Sequence, residues 1–246
     1  MILQQFGRYI LFLGKLFERP EKYKIYLQRT LLEMNNIGVG SLVIVSIIAV
    51  FQGAVTTLQI AFQLISPLIA NPVIGEIVSD STLLDLAPTI TSLVLAGKVG
   101  GHIASEIGTM RVSEQIDALE VMGINSISFL ALPKIVAGLI MMPLLIVISI
   151  FLSNLGGVIV GYFSDIITPE EFLQGARTSF TPFKLFFSLL KSFTYAFIIT
   201  SVSCYHGYYT SGGALEVGKS STKAVVYSAV AILFADYLLA ELLLEQ

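Results

Sequence analysis

The sequence predicts an all-α, polytopic membrane protein, and three observations carry that expectation. Of the 246 residues, 55% are hydrophobic and only 13% charged, against about 25% charged residues in an ordinary soluble domain. Several apolar stretches exceed the roughly 18 to 20 residues that a helix needs to cross about 30 Å of hydrocarbon. Those stretches also lack the strict polar alternation of a lipid-embedded barrel, so the spans are read as helices.

The elements follow in chain order. The first 20 residues, MILQQFGRYILFLGKLFERP, bring Ile2, Phe6, Tyr9, Ile10, Leu13, Leu16 and Phe17 near helical spacing, with Arg8 and Lys15 on the other side. This predicts an amphipathic helix lying in the lipid headgroups and ending near Pro20; a short helix packed on the protein itself is the alternative. A signal peptide is not expected, because a basic start and a small-x-small cleavage site are missing. Five spans are expected at 38–65, 83–107, 133–163, 183–207 and 224–244, with polar loops between them. The whole chain, 1–246, reads as one domain, with 1–36 an interfacial or cytoplasmic helical segment and 38–244 the five-span region. The third span is long enough to tilt or to break at Pro143, and Gly156-Gly157 gives it a second flexible point.

Lysine and arginine set the expected orientation. Arg8, Lys15, Arg19, Lys22, Lys24 and Arg29 precede span one, Arg111 lies between spans two and three, and Lys219 and Lys223 lie between spans four and five. Those segments belong in the cytoplasm. The stretch 66–82 has Glu76 and Asp80 without a basic residue, and 164–182 sets Arg177 against Asp165, Glu170 and Glu171, so both face outward. The amino terminus is therefore expected inside and the carboxyl terminus outside.

Composition also excludes chemistry. A single cysteine, Cys204, and two distant histidines, His102 and His206, argue against a disulfide or a metal site. Without a basic cluster beyond the amino-terminal segment, nucleic acid is not an expected partner. Residues 213–220, GALEVGKS, match the phosphate-binding pattern G-x-x-x-x-G-K-[ST] at every fixed position. That pattern works as the turn between a buried strand and a helix of an α/β domain. Here two spans flank it, so it is read as a flexible turn.

The densest polar stretch is 97–125, GKVGGHIASEIGTMRVSEQIDALEVMGIN. Within it, 109–122 predicts a short amphipathic helix: Val112, Ile116 and Leu119 form a stripe, and Arg111, Glu114, Asp117 and Glu120 spread over the other side. Gly108 and Gly123 are its expected breakers. A helix of this kind either lies on the membrane or is offered to a soluble partner. Upstream, Gly97, Gly101 and Ser105, and likewise Gly100, Ala104 and Gly108, recur at every fourth residue, the spacing of close helix packing. Lys98, His102 and Glu106 share a neighbouring face and can pair with one another. Two further charges, Lys191 and Asp236, sit roughly 12 Å inside the outer boundary of spans four and five, from about 1.5 Å of rise per residue. An ion pair between them is expected, since a lone charge there costs at least a few kcal/mol.

Three stretches resemble the MlaE/YrbE permeases of bacterial lipid-transporting ABC systems, which are also similar to a chloroplast lipid-import permease. They are AGKVGGHIASEIGTMRVSEQIDALEVMGIN (96–125), LPKIVAGLIMMPLL (132–145) and CYHGYYTSGGALEVGKSSTKAVVYSAVAILFADYLLAELL (204–243). The resemblance implies a bacterial inner-membrane permease that forms a homodimer, binds two cytoplasmic ABC ATPase subunits, works with a periplasmic MCE-domain protein and moves phospholipid. ATP and Mg would then be bound by the partner subunit, with no cofactor in this chain and no catalytic residue. It also implies that Gly108, Thr109, Met110, Arg111, Glu114, Gln115, Asp117, Ala118, Met122 and Gly123 belong to a coupling helix docked on the ATPase. Two positions depart from the family pattern: Arg-Glu-Leu-Gly-Pro reads Leu84-Asp85-Leu86-Ala87-Pro88, and AGR reads Ala96-Gly97-Lys98. Span one, through Phe51, Val55, Leu58 and Phe62, is the expected wall of a lipid pathway. An ion-coupled transporter using Lys191, Asp236 or Glu106, and a membrane-embedded lipid enzyme, remain as rival readings.

Overall fold

The computed structural model describes residues 2–16, 18, 23–64 and 72–244, with side chains at 2–6, 23 and 244 left aside. The expected helix end near Pro20 and the stretch 65–71 lie outside the described residues. Among the described residues every regular element is helical: α1 (Ile2–Lys15), α2 (Tyr23–Met34), α3 (Gly40–Gln63), α4 (Pro72–Ser81), α5 (Ala87–Leu95), α6 (Gly101–Val112), α7 (Gln115–Val121), α8 (Ser126–Phe163), α9 (Pro169–Ser179), α10 (Pro182–Tyr208) and α11 (Ala214–Leu244). Short π-helical turns at Asn35–Val39, Thr82–Leu86 and Ala96–Gly100 join α2 to α3, α4 to α5 and α5 to α6. Five continuous stretches are long and apolar enough to cross a membrane: Lys24–Gln63, Pro72–Val112, Ser126–Phe163, Pro182–Tyr208 and Ala214–Leu243.

The chain folds into two compact units. One holds the described residues within Met1–Ser41, Leu93–Met142 and Thr194–Leu238; the other holds those within Leu42–Ser92, Pro143–Phe193 and Leu239–Gln246.

In the first unit, the small-residue stripe does what its spacing predicts. A Cβ on Gly100 would fall 2.8 Å from Ser203 Oγ, and one on Gly108 would fall 3.2 Å from Thr210 Oγ1 and 3.3 Å from Val217, so α6 approaches α10 and α11 closely. Gly101 also serves α11, because its carbonyl accepts from Ser221 Oγ at 2.9 Å. Gly97 faces open space. Helix α1 is anchored on the end of α10 by a residue outside the expected stripe. Phe12 is fully buried, with its ring 5.8 Å from that of Tyr205 and 5.9 Å from that of Tyr208. Tyr9 is hydrogen-bonded to Ser201 at 2.7 Å, and burial pushes its phenol pKa up. Ile10 and Leu11 stay exposed. The helix thus combines both readings of its sequence, one flank on protein and one free for lipid.

In the second unit, α3 and α8 cross at glycines. A Cβ on Gly53 would overlap the Ser153 carbonyl, and one on Gly156 would overlap the Val50 carbonyl, so the two backbones touch. Thr91 and Ser149 share a buried hydrogen bond of 2.8 Å nearby. Helix α8 runs unbroken through Pro143 and Gly156-Gly157 for 38 residues, so the expected break is absent. A proline in a span loses one backbone bond but is tolerated where neighbouring helices support it.

The stretches expected as outer loops contain helices instead. α4 and α9 pack through Gly75 and Gly175, each pressed against the other's backbone, around a core of Ile74, Val78, Ile167 and Phe172. α9 starts on a capping box in which Glu171 N–H donates to Thr168 Oγ1 at 3.3 Å and Thr168 N–H to Glu171 Oε2 at 3.0 Å, with Pro169 in the first turn.

The glycine crossing gives a stability prediction. Gly156→Val forces a side chain into the α3 backbone and lowers stability by about 3 kcal/mol. Gly14→Ala, at a helical position with open space, leaves stability unchanged or slightly raised. Equilibrium unfolding in mixed micelles checks both.

Candidate functional site

The segment after span two is built differently from the single helix expected at 109–122. Helix α6 carries on through Gly108, which packs rather than breaks, and ends at Val112. Glu114 then takes a left-handed conformation, φ 60°, and the separate helix α7 begins at Gln115. Of the expected apolar stripe, Ile116 is fully buried, with Val112 and Leu119 half-buried. Gly123, at φ 78°, ends the segment as its sequence predicts.

Side chains fix this segment to the bundle. Arg111 Nη1 donates to Asp117 Oδ1 at 2.6 Å across the break, with its guanidinium 5.9 Å over the Tyr208 ring. Glu120 Oε1 accepts from Ser126 Oγ at 2.9 Å and from Tyr208 O–H at 2.8 Å, tying α7 to the start of α8 and the end of α10. Asn125 Nδ2 reaches the Lys15 carbonyl at 3.0 Å and the Glu18 carbonyl at 2.5 Å. Thr109, Glu114, Gln115, Asp117, Ala118, Met122 and Gly123 are exposed, whereas Met110 and Arg111 are half-buried and Gly108 is buried. The tip is apolar: Val121 is 89% and Met122 65% exposed. Val121 was not among the expected site residues, although it directly follows the charged stretch.

Beneath the segment lies a buried charge cluster that the sequence reading missed. Lys134 of α8, 2% exposed, donates to Glu33 of α2 at 2.5 Å and to Glu106 of α6 at 2.6 Å. The Arg29 guanidinium sits 3.7 Å over the Phe129 ring, where it offsets the second carboxylate. The expected face of Lys98, His102 and Glu106 is reassigned accordingly. Glu106 turns inward to Lys134, His102 approaches it only to 3.8 Å from the surface, and Lys98 is exposed. Lys134 was visible in the LPKIV run as the one charge within an apolar stretch.

In the second unit, the Lys191 ammonium donates to the Leu84 carbonyl at 3.1 Å and to Asp85 Oδ1 at 3.4 Å, with the Phe187 ring at 4.9 Å. Lys184 is held by both oxygens of Asp80 at 2.7 Å. Asp236, in the first unit, accepts from Tyr195 O–H at 2.6 Å. On α3, Phe51, Val55, Leu58 and Phe62 share one exposed face, and Leu58 and Phe62 line a cavity of about 770 Å³ with Ile166.

The GALEVGKS stretch is the start of α11, with only Gly213 outside the helix. Val217 N–H already bonds the Gly213 carbonyl, and Lys219 pairs with Glu216 at 2.6 Å. The amides from Glu216 onward, those of Gly218, Lys219 and Ser220 included, are therefore committed to the helix rather than to a phosphate cradle.

These spans and this anchored inter-span segment define a multi-pass helical membrane protein. A family model described as Permease MlaE matches residues 30–242, so the chain belongs to the MlaE permease family. It is similar to a probable ABC transporter permease protein of Rickettsia bellii, at 35% identity over 98% of this chain and 93% of the relative. It is also similar to one of Synechocystis, at 37% over 94% and 88%. The chloroplastic protein TRIGALACTOSYLDIACYLGLYCEROL 1 of Arabidopsis thaliana is 32% identical over 92% of this chain and 64% of its own length. The protein is thus a transmembrane permease subunit.

The charge cluster yields the next prediction. Lys134→Met leaves Glu33 and Glu106 without their shared cation and costs about 1–3 kcal/mol, since both carboxylates keep some access to water. Adding Glu33→Gln and Glu106→Gln restores much of that loss, as followed by unfolding in mixed micelles.

Proposed function

We propose that this chain is the permease subunit of an ABC transporter that moves phospholipid between a bacterial inner membrane and the outer envelope. A homodimer of the chain works with two cytoplasmic ATPase subunits, which bind ATP and Mg, and with a periplasmic MCE-domain protein. The amino terminus is cytoplasmic and the carboxyl terminus periplasmic, in keeping with the basic segments around α1, α7 and the start of α11. The names of the relatives support an ABC permease. The observation that carries the coupling role is the α7 tip, where Val121 and Met122 stand exposed on a segment tied down by Arg111, Glu120 and Asn125. An apolar anchor held rigidly in place is what a partner's groove needs, because little entropy is lost on docking.

ATP binding in the partner dimer displaces α7, and the Glu120 bonds pass that displacement to α8 and α10. The open face of α3 offers acyl chains an apolar wall. Just 11% of the most apolar stretch of α11 is buried, and its exposed face at Val226, Val230, Leu233 and Tyr237 suits a second copy.

Val121→Asp with Met122→Asp leaves the membrane bundle untouched and lowers co-purification of the ATPase at least tenfold, about 1.4 kcal/mol. Detergent stability of the permease itself stays the same. Stoichiometric ATPase retained by the variant would overturn the docking role. Transport that follows an imposed ion gradient without ATP would favour the ion-coupled reading instead.

A further inference from the structure

A second cavity, of about 530 Å³, lies in the first unit between Arg8 and Tyr9 of α1, the last turns of α10 and the first turns of α11. It shares no residue with the α7 tip or the α3 face. We propose that it binds the phosphodiester headgroup of a phospholipid.

Charge is the first argument. Arg8 and Lys223 both line the cavity, and among the described residues neither has a carboxylate within ion-pair distance. The acid at the rim, Glu216, is held by Lys219 at 2.6 Å. Both side chains are exposed, and both line the same cavity as Tyr205, His206 and Tyr227. Two cations without an ion pair among the described residues, lining one concave site, favour an anion with several acceptor oxygens, and a guanidinium together with an ammonium suits a phosphodiester.

Shape is the second argument, and it separates a lipid from a free ion. The polar residues Glu216, Ser220 and Lys223 occupy the first turns of α11, and the cavity continues to Ala231, about 12 Å further along the helix. Val202 of α10 lies on the same apolar side. The walls are rigid: His206 and Tyr227 stack at 5.1 Å and 10°, Tyr205 and Tyr209 meet at 5.1 Å, and Ser220 Oγ locks α11 to the His206 carbonyl at 2.6 Å. The lining thus combines cations, aromatic walls and apolar side chains, the three environments that headgroup, glycerol and acyl chain require. The cavity sits where α10 ends and α11 begins, with the amphipathic α1 packed on α10 beside it, and the ends of spans are where headgroups meet a membrane protein. Its volume falls in the usual range for small-ligand sites. A nucleotide is disfavoured, since the GALEVGKS amides from Glu216 onward are bonded within α11.

The test uses the full-length chain in detergent, titrated with dihexanoyl phosphatidylglycerol below its micelle concentration and followed by thermal unfolding. Dihexanoylglycerol, which lacks the phosphate, and inorganic phosphate, which lacks the acyl chains, are the other arms. Phosphatidylglycerol is expected to stabilise the chain saturably, with both controls at least tenfold weaker. Arg8→Gln with Lys223→Gln is expected to weaken its binding about tenfold per lost cation. The conservative pair Arg8→Lys with Lys223→Arg keeps most of the affinity. Lys98→Gln, an exposed cation that does not line the cavity, leaves it unchanged. Equal binding by the double Gln variant and the wild type would overturn the site. Dihexanoylglycerol binding as tightly as phosphatidylglycerol would overturn phosphate recognition, and inorganic phosphate binding as tightly would overturn the lipid assignment in favour of a free anion. The assay needs no ATPase, so its outcome is independent of the docking experiment.

Discussion

Burying one ammonium organises the first unit. Lys134 sits on an apolar helix with almost no access to water, and an unpaired charge there would cost several kcal/mol. It must be met by carboxylates from other helices, and α8 itself supplies none nearby. Glu33 fixes α2 and Glu106 fixes α6, so three elements distant in sequence are held to one atom. Two carboxylates exceed one ammonium, and Arg29 restores the balance while stacking on Phe129 of α8. The position of α6 in turn decides where its continuation, α7, emerges. The buried cation thus sets the starting point of the segment assigned to coupling.

The second unit solves a related problem through its backbone. Pro88 has no N–H to offer the carbonyl four residues earlier, which belongs to Leu84. The chain answers with a π-helical turn at Thr82–Leu86, and the freed carbonyl accepts from the Lys191 ammonium. A carbonyl released at a proline and a buried lysine on another span thus meet in one hydrogen bond. Asp85, in the same turn, places a carboxylate oxygen 3.4 Å from the same ammonium. Both places where the sequence departs from the MlaE/YrbE pattern, 84–88 and 96–98, fall at π-helical turns, where carbonyls are available and side chains are re-aimed.

What the sequence made legible was whatever depends on local period and composition. The five spans, the close packing of Gly100 and Gly108, and the stop at Gly123 follow from apolar length, small-residue spacing and glycine's tolerance of positive φ. The rejection of GALEVGKS also followed from context, and the helix that replaces the loop supplies its physical reason. The losses were of other kinds. Thr168-Pro169-Glu170-Glu171 carries a legible helix start inside a stretch whose acidic composition alone reads as loop. Phe12 escaped because its partners, Tyr205 and Tyr208, lie almost 200 residues away. For the same reason no period in the sequence could pair Lys134 with Glu33 and Glu106, or send Lys191 to a carbonyl freed by Pro88.

The break at Glu114 is the least legible feature, and it decides what α7 can do. A helix unbroken from 109 to 122 would keep its tip on the α6 axis. The left-handed Glu114, which costs about 1–2 kcal/mol in a residue with a Cβ, turns the chain instead. The turn brings Ile116 back into full burial and lets Asp117 reach Arg111 and Glu120 reach Ser126 and Tyr208. Burying an isoleucine side chain contributes roughly 1.5–3 kcal/mol, enough to offset the strain before the ion pair is counted. Since α7 is oriented by these side-chain bonds and not by α6, its angle is set where α8 and α10 begin and end. A push on Val121 or Met122 therefore meets those two spans directly, through Glu120, before it can bend the span from which the segment emerged.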